Sequence, residues 1–140
     1  MTHYFFSLAL FGLCCALLVA VAIMRGSAFE LIQHSPMAVV AGVLMTIAIG
    51  YVCDDGNLHR SPVFRLWLAA PLIFVCGMLV GCLGNYFESM KHWSEASTPA
   101  IEFINYFVKP AWWLGLIGIP ASLIVGRIYS WVWQWLGKAI

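Results

Sequence analysis

Four apolar runs, each near the length an α-helix needs to cross a bilayer, constrain this chain more than any other feature. Crossing about 30 Å of hydrocarbon takes roughly 20 apolar residues in a helix. The first run is Tyr4–Met24, closed by Arg25. The second, Met37–Cys53, follows Pro36; the third runs from Val63 to Tyr86 and the fourth from Pro110 to Trp135. The expected fold is all-α: a polytopic membrane protein forming one transmembrane domain over residues 1–140, with spans at about 4–25, 37–53, 63–86 and 110–135. Hydrophobic residues make up 63% of the 140 and charged residues 9%, against about 25% charged in soluble domains. A water-soluble core of this size has no room for so much apolar surface.

Aromatic side chains mark the expected membrane boundaries. Trp112 and Trp113 lie near one end of the fourth run, and Trp131, Trp133 and Trp135 near the other. Trp113 to Trp131 spans about 27 Å at a rise of about 1.5 Å per residue. Trp67 and Tyr86 bracket the third run at about 28 Å on the same rise. Both match the hydrocarbon thickness, and Trp and Tyr favour the two interfaces. Trp67, Tyr86, Trp112, Trp113, Trp131 and Trp133 are therefore predicted interfacial anchors.

Small residues recur every fourth position: Gly12, Ala16 and Ala20; Ala38, Gly42, Thr46 and Gly50; Gly77 and Gly81; Gly118, Ser122 and Gly126. Such positions share one helix face. In lipid, helices associate through close packing, which small residues permit. The stripes predict tight helix contacts, either within one bundle or between copies in a homo-oligomer.

Thr98-Pro99 reads as an N-cap followed by proline at the first helical position, with Glu102 in the first turn. A short interfacial helix is expected there, before Pro110 turns the chain into the fourth span. Pro71 and Pro120 fall inside spans, where neighbouring groups are expected to satisfy the freed carbonyls. Met1–Ser7 carries no Lys or Arg, so the first run is expected to be a retained helix and not a secretory leader.

An even number of spans puts both termini on one side. That side carries Arg60, Arg65, Arg127 and Lys138, against Arg25, Lys91 and Lys109 on the other. The bias places the termini in the cytoplasm, and a bacterial inner membrane is the expected location.

No Asp, Glu, Lys or His falls at the middle of a predicted span. Proton relays, coupled transporters and voltage sensors place ionisable groups at membrane depth. Four-span small multidrug exporters depend on a glutamate in the first span, which this chain lacks. The histidines His3, His34, His59 and His92 lie at run ends or in loops, and the five cysteines contain no CxxC. Haem ligation and thiol redox chemistry are therefore not expected. The net charge of +1 gives no footprint for nucleic acid.

Two polar features remain. Asp54, Asp55, His59 and Arg60 fall in the loop 54–60, opened by the turn sequence Asp54-Asp55-Gly56-Asn57, and form a possible polar loop site. The residue types suit a divalent metal or acid–base work, but a turn and ion pairing account for them, and no established ligand spacing is present. Arg127, one turn inside Trp131, either snorkels to the interface or serves as a pore-mouth or partner charge.

No catalytic residue, cofactor or metal is expected. The expected function is that of a small non-catalytic membrane protein working through helix contacts with another membrane protein or with itself. Accessory, assembly and immunity-type roles fit. In size and span number the chain is similar to immunity proteins against pore-forming bacteriocins, though no motif is shared. The alternative is an oligomeric channel or holin-like pore, to which Thr46, Ser122 and Asn85 would contribute polar lining.

Overall fold

A computed structural model describes residues 3–24, 33, 35–55, 63–96 and 98–139. Helix α1 is Tyr4–Val19 and continues as a π-helical turn, Ala20–Met24; α2 is Pro36–Asp55. A second π-helical turn, Phe64–Leu68, leads into α3, Ala69–Ser89, which ends in a 3₁₀ turn at Met90–His92. Helix α4, Pro99–Phe103, passes through a third π-helical turn, Ile104–Val108, into α5, Lys109–Ala139. Every regular element among the described residues is helical. Four helical runs are long and apolar enough to cross a membrane: Tyr4–Ala22, Pro36–Asp55, Ala69–Ser89 and Pro99–Gly137.

Two boundaries differ from the sequence reading. Helix α2 continues through Asp54 and Asp55, which the sequence assigned to a turn. Pro110 does not end a helix; the helical run starting at Pro99 continues through it by way of the π-helical turn. A proline ring collides with the carbonyl four residues back, and a π-helical turn shifts that carbonyl. Pro110 follows the turn Ile104–Val108 closely, as Pro71 follows Phe64–Leu68.

Glycine sets the spacing of α2 and α3. A Cβ at Gly42 would lie 3.2 Å from the carbonyl oxygen of Gly77, and one at Gly81 would lie 3.3 Å from that of Ala38. A Cβ at Gly77 would collide with Thr46 Oγ1 and reach 3.2 Å from the Gly42 oxygen. Gly84 extends this contact: its Cβ would stand 3.1 Å from Ala38 Cα. The two backbones touch along four glycines, so dispersion contacts are made at the shortest separation helices can reach.

At the end of the bundle that holds the start of α1, rings from α1, α5 and the turn before α3 form an aromatic cluster, with Cys53 of α2 and Ala69 and Ile73 of α3 packed beside it. Tyr4 packs against Tyr129 at 5.3 Å and edge-on to Trp133 at 5.4 Å, and Phe5 meets Phe64 at 5.7 Å. Gly50 admits α1 here, since its Cβ would stand 2.9 Å from both Ala9 Cβ and the Phe5 oxygen. The buried residues of α1 are Tyr4, Phe5, Leu8 and Ala9. Its second half loses that cover: Leu17 is 61% and Leu18 69% exposed, and no atom lies within 4 Å of a Cβ built on Gly12. Helix α1 is held at one end.

This difference between glycines is measurable. Gly77→Ala should cost about 1–3 kcal/mol through overpacking, whereas Gly12→Ala, which meets open space and gains helix propensity, should stabilise by up to about 1 kcal/mol, both read by thermal unfolding in detergent.

Candidate functional site

The first N–H groups of a helix have no partner within it, and away from water each must find one. Asp54 answers this for α1. Phe5 N–H donates to Asp54 Oδ1 at 2.8 Å and Phe6 N–H to Oδ2 at 2.9 Å. A carboxylate at the C-terminal end of its own helix is poorly placed against that helix's dipole, and well placed at the N-terminus of an antiparallel neighbour. Glu88 repeats the arrangement one helix later: near the end of α3, it accepts Met37 N–H at the start of α2 at 3.3 Å.

Asn85 ties three elements together. Pro110 has no N–H for the Tyr106 carbonyl, and Asn85 Nδ2 donates to that oxygen at 3.0 Å. Asn85 Oδ1 accepts the Ser35 hydroxyl at 2.9 Å. The freed carbonyl was findable in the sequence from the proline four residues on; its partner was not.

The hydroxyls facing the interior turn back on their own helices. Thr46 donates to the Gly42 oxygen at 2.8 Å and Ser122 to the Ile119 oxygen at 2.7 Å. Arg127 lies on the outer surface of α5, its guanidinium 4.8 Å from the centre of the Trp67 ring, a cation–π distance.

Because α1 is held at one end, the four long helices leave an apolar cleft of about 360 Å³ between them, open on the side of the exposed Ala16 and Val19. Gly12, Ala16, Val43, Ile73, Phe74 and Val125 are among its walls, with the spent hydroxyls of Thr46 and Ser122. A second cavity of about 350 Å³ lies toward the start of α2, between Ser35, Val39, Asn85, Pro110 and Leu114. Phe74 and Met78 line both.

The predicted site residues separate accordingly. Gly42, Thr46, Gly77 and Gly81 lie in the α2–α3 contact, Gly50 against α1, and Gly118 and Gly126 on α5 against Phe74 and Ala70 of α3. Gly12, Ala16 and Ser122 line the cavity, while Ala20 falls in the π-helical turn that ends α1. Trp67, Trp112, Trp113 and Trp131 are exposed. Trp133 and Tyr86 instead pack in aromatic contacts, Tyr86 edge-on to Phe103 at 5.3 Å. Asp54 is the cap just described and Asp55 is exposed. His59 and Arg60 lie outside the described residues, among which no group of three His, Cys, Asp or Glu side chains is placed to hold a metal. The signal missed in the sequence was Gly84, three residues beyond Gly81. Comparisons with protein families, characterised proteins and solved structures give no match to this chain.

The cap should be separable from its neighbour. Asp54→Ala strands two N–H groups and should cost about 2 kcal/mol or more; Asp55→Ala should cost less than about 0.5 kcal/mol. Chemical unfolding in mixed micelles compares the two.

Proposed function

We propose that this chain is a non-catalytic integral membrane protein that acts through helix–helix contacts with a partner membrane protein, in an accessory, assembly or immunity-type role. The observation that carries this reading is the uncovered second half of α1. Leu10, Cys14, Leu17, Leu18 and Val21 recur at helical spacing on its outer face and are all exposed, whereas the glycines of α2 and α3 are taken up inside the single copy. This face of α1 is exposed among the described residues, a surface open to a helix from another chain or a second copy.

The remaining features fit a protein seated in a bacterial inner membrane with its termini in the cytoplasm. The stretch Pro99–Val108, with Glu102 in its first turn and Asn105 bonded to Lys109 Nζ at 3.0 Å, suits the membrane surface. Trp67, Trp112, Trp113 and Trp131 suit the two interfaces. The second reading, an oligomeric pore, is weaker because the interior hydroxyls of Thr46 and Ser122 already serve their own backbones.

A photo-crosslinking amino acid at Leu18, activated in native membranes, should give a discrete protein adduct. The same probe at Leu79, exposed on α3, should give only lipid adducts. Lipid adducts alone from every position on the outer face of α1, or reproducible unitary currents from the purified protein in planar bilayers, would contradict the reading.

A further inference from the structure

The two cavities share Phe74 and Met78, so together they extend along α3 from Ala70 to Asn85. Those 15 steps are about 22 Å at the rise of an α-helix. One leaflet of a bilayer core about 30 Å thick needs about 15 Å of chain, so the combined slot is long enough for one acyl chain. Its chemistry is graded in the same sense. Ser35 and Asn85 lie at one end, where the Asn85 amide has hydrogen-bonding capacity beyond its bonds to Ser35 and Tyr106. Further in, the walls are apolar and the hydroxyls of Thr46 and Ser122 are engaged by their own helices, which leaves nothing to hold water or an ion. Each cavity falls in the volume range of ligand pockets, about 300–1,000 Å³.

We propose that this slot binds a single acyl chain of a bilayer phospholipid, with the glycerol ester at Ser35 and Asn85 and the chain end between Gly12 of α1 and Val43 of α2. Met78, unbranched and adaptable, is the part of the shared wall that yields as the chain passes. The site lies between the helices, so it goes beyond the partner contact on the outer face of α1 and stands or falls separately from it.

The test uses the full chain extracted from its own membrane in mild detergent. Native mass spectrometry should find one phospholipid retained per chain. Gly12→Phe points a ring into open space and should lower retention by about tenfold, a loss equivalent to about 1.4 kcal/mol. Val43→Phe, from the opposite wall, should do the same, and Leu79→Phe on the outer surface of α3 should leave retention unchanged. A phospholipid carrying a diazirine at the chain end should label α1 between Gly12 and Val19, and one labelled beside the glycerol should mark Ser35 and Asn85. Undiminished retention in both filled variants would overturn the proposal. So would labelling confined to outward residues such as Leu44 and Leu79, or retention of a free fatty acid in place of phospholipid.

Discussion

Two backbone N–H groups at the start of α1 and the carboxylate of Asp54 set the geometry from which the rest of this bundle follows. The donors cannot be satisfied within their own helix. An acid at the end of the antiparallel neighbour meets the need and complements the helix dipole. Both carboxylate oxygens are used, at 2.8 and 2.9 Å, which fixes the height of α1 against α2. Glu88 and Met37 set α2 against α3 in the same way. In each hairpin, a charge unfavourable to its own helix end is shared with the neighbouring one.

With its N-terminal turn fixed, α1 is drawn into the aromatic cluster of Tyr4, Phe5, Tyr129 and Trp133 and against Gly50. Among the described residues, no buried cluster of this kind holds its other end. Helices α2 and α3, by contrast, touch backbone to backbone from Thr46 and Gly77 to Ala38 and Gly84. One tight pair beside a helix held at one end produces the cavity at Gly12 and Ala16, and it leaves the outer face of α1 for a partner. Packing, cavity and proposed contacts share one cause.

The spans were legible because bilayer thickness acts as a one-dimensional ruler on hydropathy. The small-residue stripes were legible as patterns, yet Gly12 and Gly77 look alike in sequence and have opposite surroundings. One faces open space and the other a backbone, a difference that depends on where Asp54 fixes α1. Asp54 itself read as turn chemistry because Gly56 and Asn57 follow it. The carboxylate's partners lie 48 and 49 residues away, beyond any local pattern. The edge-on contact of Trp133 with Tyr4 joins opposite ends of the chain and lies beyond any local pattern in the same way.

Amide exchange at Phe5 and Phe6, measured by NMR in lipid nanodiscs, tests the central claim most directly. First-turn amides of an uncapped helix lack a bonded partner and exchange rapidly. The Asp54 cap predicts that these two are protected, and that Asp54→Ala releases them while Asp55→Ala does not. Rapid exchange at both positions in the unaltered protein would contradict the account.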